Sequence, residues 1–165
     1  MKITFLTTGG TIDKDYAPSA GTYNFTIAGP AVRKILKQVN PNFEFDIIPI
    51  LKKDSLDMNN SDRQLIYDAC TKVKGSKIII THGSDTMSQT AQKIKDIKNK
   101  TIILVGSSRP EKFINSDASF NVGAAVGAIN CLNKGVHIAM NGRIYKWSEC
   151  YKQKDTGRFV CRSNS

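Results

Sequence analysis

The sequence contains no long hydrophobic run. None of its apolar runs approaches the roughly 20 residues that a membrane-spanning helix needs, and the N-terminus has no extended apolar core or cleavage site of a secretion signal. We therefore expect a cytoplasmic protein without membrane contact. Its 165 residues, 40% of them hydrophobic and 23% charged, are typical of one globular domain, which we predict to span residues 1–165.

Cysteine is also scarce, and its spacing argues against two kinds of site. The chain has four cysteines and no Cys-x-x-Cys pair, so neither a structural zinc site nor a redox motif is indicated. Neither of the two histidines has a second ligand at helical spacing, so we expect no metal and no other cofactor. Cys70 and Cys131 fall in segments with helical patterns, where we expect buried thiols.

Acidic residues are few relative to basic ones. With 14 Asp and Glu against 24 Lys and Arg, the formal net charge is +10, which could indicate a polyanionic partner. The lysines are scattered, however, and no RNA-binding signature, zinc finger or aromatic-basic stripe accompanies them. We therefore predict no nucleic-acid partner, and the positive field could instead help to steer a small anionic substrate.

What the chain does contain is a regular alternation of two patterns. Short apolar runs rich in β-branched residues predict strands, and longer stretches of helical period predict helices between them. This alternation is typical of β-α-β units and predicts an α/β fold with a mainly parallel sheet. The predicted strands cover residues 3–7, 43–50, 78–81, 101–105 and 136–140, and the predicted helices cover residues 31–39, 62–74, 88–95 and 119–132.

Unusual loops follow the first four predicted strands. They cover residues 7–11, 53–58, 81–85 and 106–109, and each contains glycines, hydroxyls or carboxylates beyond what a turn requires. In an open parallel sheet, ligands bind outside the carboxyl ends of the strands. Because the loops would meet at that edge, we predict that they form one pocket.

Two of these loops crowd hydroxyls around glycine. One reads TTGGTID, from Thr7 to Asp13, and the other reads THGSDTM, from Thr81 to Met87. Glycine after a strand lets the backbone approach a ligand closely and leaves N–H groups free for an oxyanion. Each motif alone could also be purely structural, as a tight turn in the first case and a helix N-cap in the second.

Taken together, the motifs resemble those of the bacterial-type L-asparaginase/glutaminase family. TGGTI and HGSDTM resemble its two signature motifs, and the resemblance continues through KDSLDM, GSSRP, SDASFN and MNGRIYKWSECYK, so that it covers residues 3–152. The resemblance implies a three-layer Rossmann/flavodoxin-like domain. It also implies hydrolysis of L-asparagine to L-aspartate and ammonia through a covalent acyl-enzyme on a threonine.

The resemblance assigns roles to particular hydroxyls. The family's nucleophile is the threonine after Gly-Gly, which is Thr11 here, whereas Thr8 would pack or form a hydrogen bond. A threonine hydroxyl needs a base or a proton relay at neutral pH. The family supplies a hydroxyl, a carboxylate and a lysine, which correspond to Ser84, Asp85 and Lys152; most members have threonine at the first of these positions, and serine keeps the hydroxyl.

Substrate binding follows from the same resemblance. Ser55 corresponds to the residue that holds the substrate's α-carboxylate, and Asp85 would also receive its α-ammonium group. The backbone N–H groups of Thr11 and Ser84 are candidates for the oxyanion hole. The substrate-binding set is thus Gly10, Ser55, Gly83, Ser84 and Asp85.

Two assignments have rivals within the sequence. Lys146 and Lys154 are near enough to compete with Lys152 for the role of the family's lysine. The family also has a tyrosine on a mobile loop after the nucleophile, which could be Tyr16 or Tyr23. We favour Tyr16, five positions after the nucleophile, as the catalytic tyrosine.

Three further motif residues are interpreted as structural. We expect Asp57 to order its loop and Arg109 to brace the end of the fourth strand. His82 should be packed and hydrogen-bonded, and we do not expect it to act as an acid or a base.

The familiar members of this family carry a second, C-terminal domain, which these 165 residues do not match. Neighbouring subunits of those enzymes use that domain to complete substrate recognition. We therefore expect a homodimer or tetramer and a high Michaelis constant. A broader glutaminase or amidase, or a non-catalytic amino-acid-binding relative, is the alternative.

Overall fold

A six-stranded sheet organises the fold. The computed structural model describes residues 1–16 and 24–162, and its strands and α-helices lie within these ranges. The strands are β1 Lys2–Gly9, β2 Lys14–Tyr16, β3 Phe25–Ile27, β4 Glu44–Lys53, β5 Lys77–Thr81, β6 Thr101–Val105, β7 Gly135–Met140, β8 Arg143–Lys146, β9 Cys150–Lys152 and β10 Phe159–Cys161. The α-helices are α1 Ala31–Val39, α2 Asn60–Lys72, α3 Met87–Ile94 and α4 Ala118–Ala128.

The strands of the sheet follow a flavodoxin-like order. The order is β4-β1-β5-β6-β7-β8, in which the first five strands are parallel and β8 is antiparallel to β7. Counted in chain order, the parallel strands of this sheet run 2-1-3-4-5, the doubly wound arrangement. Two small antiparallel pairs, β2 with β3 and β9 with β10, lie outside this sheet.

Helices cover both faces of the sheet. Ile78 and Ile80 of β5 pack in a core with α2 and α3, whereas Ile79 packs in a second core with α1 and α4. Successive side chains of a strand point to opposite faces, so a strand covered on both sides needs a continuous apolar run. The predicted α/β fold, with three layers and a mainly parallel sheet, is confirmed.

The predicted elements are all present; α1 and β6 have the predicted ends, and the others are shifted at one end or both. α2 begins at Asn60, because Asn59 and Asp62 form a capping box at its start. α4 ends at Ala128, where the following INCLNKG stretch favours a turn. Cys131 is therefore exposed, and its predicted burial in a helix is wrong, whereas Cys70 is buried as expected. The short strands β2, β3, β8, β9 and β10 were not predicted.

Neither a membrane span nor a metal cluster is found in the described part of the chain. Among residues 1–16 and 24–162, no helix combines the length and the apolar character that crossing a membrane requires. Those residues also contain no group of three or more His, Cys, Asp or Glu side chains placed to hold a metal ion.

The carboxyl ends of four parallel strands lie side by side at one edge of the sheet. β1 is hydrogen-bonded to β4 on one side and to β5 on the other, and β5 is hydrogen-bonded to β6. The loops that follow β1, β4, β5 and β6 therefore begin next to one another. This edge carries the predicted site.

Candidate active site

The first loop turns sharply at Gly10. This residue has a φ of 81°, a conformation that favours glycine, and its N–H donates to the Lys53 carbonyl at 2.9 Å. A Cβ atom on Gly10 would lie 2.4 Å from the backbone nitrogen of Gly83, so a glycine is needed for the two loops to touch. The single 3-10 turn Thr11–Asp13 follows, and its first residue, Thr11, lies directly beside this contact.

The second loop carries Ser55 in a turn held by hydrogen bonds. The Ser55 hydroxyl is fully buried and has no hydrogen-bond partner among the described residues. Gly83 packs against it, since a Cβ atom on Gly83 would lie 2.6 Å from Ser55 Oγ. The Thr86 hydroxyl donates to the Ser55 carbonyl at 2.7 Å, and the Asp54 carboxylate accepts from the Leu56 N–H at 3.1 Å. A buried hydroxyl without a partner is uncommon in folded proteins, which makes Ser55 a candidate ligand-binding residue.

The third loop meets Lys152, which comes from a distant part of the chain. Lys152 Nζ lies 2.8 Å from Ser84 Oγ and 2.7 Å from Asp85 Oδ1. Lys152 is the last residue of β9, and its backbone position is fixed by antiparallel pairing with Phe159 of β10. Ser84 is 9% exposed and the Lys152 side chain 27% exposed, so the contact is partly shielded from water. The structure thus brings three of the predicted catalytic residues together.

The two rival lysines lie elsewhere. Lys146 is exposed and pairs with Glu149 at 3.7 Å. Lys154 is exposed in the turn between β9 and β10. Of the three candidates, Lys152 is the one that contacts the HGSD loop.

His82 connects the third loop to α3. The ring is fully buried, with Nδ1 2.7 Å from the Gly83 carbonyl oxygen and Nε2 2.8 Å from the Thr90 hydroxyl. Burial lowers the pKa of His82 to about 4, so the ring is neutral at pH 7. A neutral ring can donate from Nδ1 to the carbonyl and accept the Thr90 hydroxyl at Nε2. The expectation of a packed, hydrogen-bonded histidine is confirmed.

The fourth loop is ordered by Asp117, to which the sequence prediction assigned no role. Its carboxylate accepts from the N–H groups of Ser108 at 2.9 Å and Arg109 at 3.1 Å. The Arg109 guanidinium donates to a carbonyl of the same loop at 3.3 Å, in keeping with its expected bracing role. Asp57, in contrast, is exposed, and it is the side chain of Asp54 that caps its turn.

Tyr16 lies in an aromatic stack on the β2–β3 hairpin. Its ring centroid is 4.5 Å from that of Phe25 and 6.3 Å from that of Phe113. No hydrogen bond from the Tyr16 hydroxyl is present among the described residues, so its catalytic role stays a prediction. The rival, Tyr23, lies outside the described residues.

Asp13 has an environment that the sequence prediction missed. The residue is 4% exposed, and its carboxylate accepts from the N–H of Ala31, the first residue of α1, at 2.8 Å. Burial raises the pKa of the Asp13 carboxyl to about 6, although the N–H groups of Ala31 and Gly9 act to lower it. Because Ala31 follows 18 positions later in the chain, no local sequence pattern indicates this contact.

Burial of Asp13 and His82 predicts opposite effects of pH on stability. Folding raises the pKa of Asp13 from 3.8 to about 6, so the folded state favours the protonated carboxyl. The free energy of unfolding therefore falls as the pH rises through that window. Folding lowers the pKa of His82 from 6.5 to about 4, so the folded state favours the neutral ring. The free energy of unfolding therefore falls as the pH falls through that window. Each difference corresponds to about 3 kcal/mol, and the two effects offset one another in the wild type.

We therefore expect the Asp13→Asn variant to reveal the effect of His82. Between pH 8 and pH 4.5, its free energy of unfolding in urea titrations should fall by about 2 kcal/mol more than that of the wild type. At pH 8 the variant should be the more stable protein, because it buries no charge. Asp15→Asn is the matched control, since Asp15 pairs with Lys112 at the surface at 3.2 Å. Parallel pH profiles for wild type and Asp13→Asn would contradict the prediction.

Comparison with known proteins covers nearly the whole chain. The family described as "Asparaginase, N-terminal" matches residues 2–164. The chain is 30% identical over 155 residues to the glutaminase-asparaginase of Acinetobacter glutaminasificans, covering 87% of this chain and 47% of that protein. It is 30% identical over 168 residues to L-asparaginase 2 of Escherichia coli K12, covering 93% of this chain and 47% of that protein.

The fold shows the same likeness. The thermostable L-asparaginase from Thermococcus kodakarensis superposes with a TM-score of 0.84 at 24% sequence identity, covering 98% of this chain and 51% of that chain. The chain therefore spans about half the length of the relatives it matches. With the family match over residues 2–164, the resemblance inferred from TGGTI and HGSDTM is confirmed, and the chain belongs to the asparaginase N-terminal family.

Proposed function

We propose that this chain hydrolyses the side-chain amide of L-asparagine to L-aspartate and ammonia, with Thr11 as the nucleophile. The observation that carries the proposal is the contact of Lys152 Nζ with both Ser84 Oγ and Asp85 Oδ1, at 2.8 and 2.7 Å. An ammonium or amine group beside a hydroxyl and a carboxylate is a means of moving protons at a nucleophile. Family membership points to the same chemistry.

The reaction divides into two steps on the Thr11 hydroxyl. In the first, Thr11 Oγ bonds to the amide carbon, its proton passes through Ser84 to Lys152 in the unprotonated form, and a proton returns to the leaving nitrogen as ammonia departs. In the second, water adds to the ester carbon and passes a proton along the same route, and the bond to Thr11 Oγ breaks as that proton returns to Thr11 Oγ and aspartate is released. Backbone N–H groups of Thr11 and Ser84 would stabilise the oxyanion in both steps.

Ser55 and Asp85 are the proposed binding residues for the α-carboxylate and α-ammonium groups of the substrate. The buried Ser55 hydroxyl, which has no partner among the described residues, would donate to the α-carboxylate. Asp85 accepts from Lys152 through Oδ1, and its other oxygen would accept from the α-ammonium group. The backbones of Gly10 and Gly83, which touch one another, bring the nucleophile's loop and the binding loop to the same substrate.

Ser55→Ala should therefore weaken substrate binding more than it slows chemistry. A hydrogen bond to a charged group contributes about 1.5–3 kcal/mol, so we expect KM for L-asparagine to rise roughly tenfold to hundredfold with kcat within about threefold. Steady-state ammonia release measures both constants. Ser108→Ala, an exposed serine on the fourth loop, should leave KM within about twofold. An unchanged KM in Ser55→Ala would remove this residue from the binding set.

The function itself is tested by product analysis. Purified wild-type protein with L-asparagine should form ammonia and L-aspartate in equal amounts, and Thr11→Ala should form neither above background. L-glutamine is the second substrate to compare, because one relative is a glutaminase-asparaginase. A higher kcat/KM for L-glutamine would favour the broader glutaminase, and no ammonia from either amide would favour a non-catalytic amino-acid-binding protein.

Assembly and location are the last two parts of the proposal. We propose a homodimer or tetramer in the cytoplasm, as expected from the family resemblance and the sequence. Light scattering at several protein concentrations, with activity measured across the same dilutions, tests whether assembly supports turnover. Cell fractionation tests the location.

A further inference from the structure

Asp13 closes the turn that begins with Thr11. The Asp13 N–H donates to the Gly10 carbonyl at 3.1 Å, and the Lys14 N–H donates to the Thr11 carbonyl. These i to i+3 hydrogen bonds link both ends of a turn of only three residues, so a shift of Asp13 should be transmitted to Thr11. The orientation of Thr11 therefore depends on what holds Asp13.

Two segments that come later in the chain hold Asp13. Its carbonyl accepts from the Ala28 N–H at 2.7 Å, and its Oδ1 accepts from the Ala31 N–H at 2.8 Å. Ala28 directly follows β3, the second strand of the hairpin, and Ala31 begins α1. A negative charge at the first turn of a helix is stabilised by the helix dipole. One residue thus connects the Thr11 turn to the hairpin and to the helix.

Asp13 also borders a partly open cavity. The cavity has a volume of about 200 Å³, and its lining includes Ile27, Pro49 and Leu51, with Lys52 as the second charged residue. The charged groups on the neighbouring hairpin, helix and strand form other ion pairs or are exposed. These are Lys14 with Asp54 at 2.6 Å, Asp15 with Lys112 at 3.2 Å, Lys34 with Glu111 at 2.9 Å, Lys53 with Asp62 at 2.8 Å, and the exposed Arg33 and Lys37.

We propose that the Asp13 carboxylate is a positioning residue for the Thr11 hydroxyl, in addition to its contact with α1. The charged form is held on the helix N-terminus, which keeps the turn and Thr11 in place. Loss of the charge weakens that hold, and the side chain can then turn into the neighbouring cavity and move the turn with it. This inference rests on the proposed role of Thr11 as nucleophile.

A purely structural cap would not need the charge. Asparagine or serine can also accept from a helix N-terminus, and neither carries the penalty of burying a carboxylate, but the helix dipole holds their neutral oxygens less strongly than a carboxylate. Stability alone therefore favours an uncharged residue at position 13. A group that lowers stability while it orders a catalytic turn is typical of functional sites.

The test is the pH dependence of ammonia release by wild-type, Asp13→Asn and Asp15→Asn proteins. Because burial raises the pKa of Asp13 to about 6, log kcat/KM of the wild type should bend near that pH and fall on the acid side. Asp13→Asn should lack the bend, and at pH 8 its kcat should lie about tenfold below that of the wild type with KM nearly unchanged. At pH 5 the two proteins should agree within about threefold, and Asp15→Asn should follow the wild type throughout.

Two results would overturn the positioning role. The first is a bend near pH 6 that persists in Asp13→Asn, and the second is a kcat for this variant equal to that of the wild type at pH 8. Amide hydrogen exchange gives a readout that does not need turnover, since the amides of Thr11 and Ala31 should exchange faster in Asp13→Asn than in the wild type at pH 8. If the wild type releases no more ammonia than Thr11→Ala, the proposed hydrolase is wrong, and unchanged exchange in Asp13→Asn would then overturn the positioning role separately.

Discussion

Replacing Thr11 with alanine should lower ammonia release from L-asparagine by at least about a thousandfold, because an enzyme without its nucleophile retains only binding and oxyanion stabilisation. The fold should survive the change. The contact between Gly10 and Gly83 involves backbone alone, and the Thr11 hydroxyl forms no hydrogen bond among the described residues. Initial rates give the loss, and circular dichroism shows whether the variant is folded.

Two matched variants separate the chemistry of Thr11 from its structural surroundings. Thr11→Ser keeps a hydroxyl and should retain activity within about tenfold. Thr8 is buried and donates to the Thr81 carbonyl at 2.8 Å, so Thr8→Ala should lower the free energy of unfolding by about 1–3 kcal/mol and leave kcat within about threefold. Comparable loss of turnover in the Thr8 and Thr11 alanine variants would contradict the assignment of the nucleophile.

Lys152→Met should have the second largest effect, a fall in kcat of about a hundredfold to ten-thousandfold. Methionine matches the lysine side chain as far as Cε but lacks the nitrogen that contacts Ser84 Oγ at 2.8 Å and Asp85 Oδ1 at 2.7 Å. Stability should change by less than about 1 kcal/mol, because the Asp85 side chain is 45% exposed and an ion pair of this kind is weak. Steady-state rates and urea unfolding measure the two effects independently.

Variants at neighbouring lysines distinguish a proton relay from a general effect of charge. Lys146→Met and Lys154→Met each remove one positive charge that does not contact the HGSD loop, and they should leave kcat within about twofold. Lys152→Arg keeps the charge, but arginine does not give up its proton, so this variant should be nearly as impaired as Lys152→Met. Near-normal turnover by Lys152→Arg would contradict the proton relay and leave Lys152 with an electrostatic role only.

Much of the fold could be predicted because its signals are local. The run at residues 78–80, three isoleucines, has the composition of a strand buried on both faces, and it lies at the centre of the observed sheet. Parallel strands place their carboxyl ends together, so the meeting of the Gly10, Ser55 and Gly83 loops also followed from the order of elements. The short strands β8, β9 and β10 were missed because three or four residues carry too little periodicity.

The contacts of individual side chains were less predictable. The ring of Tyr16 stacks on those of Phe25 and Phe113, which are nine residues or more away in the chain, and the sequence did not predict this stacking. Asp117 and Asp54 order two of the loops through hydrogen bonds to backbone N–H groups. They lie in the motifs SDASFN and KDSLDM, respectively, but the motifs alone do not show which N–H groups these carboxylates reach. The stacking and hydrogen-bond partners of these side chains depend on the three-dimensional path of the loops.

The sequence by itself determined the fold class, the family and the loop on which Thr11 lies, because these depend on periodicity and on motifs of a few adjacent residues. Only the tertiary structure decided that Lys152, 68 positions from Ser84, is the lysine that reaches the HGSD loop. It also decided that Asp13 is buried on the start of α1 and carries a raised pKa of about 6. The physical reason is that hydrogen bonding and desolvation depend on distances between groups far apart in the chain, and these distances exist only after the layers have packed.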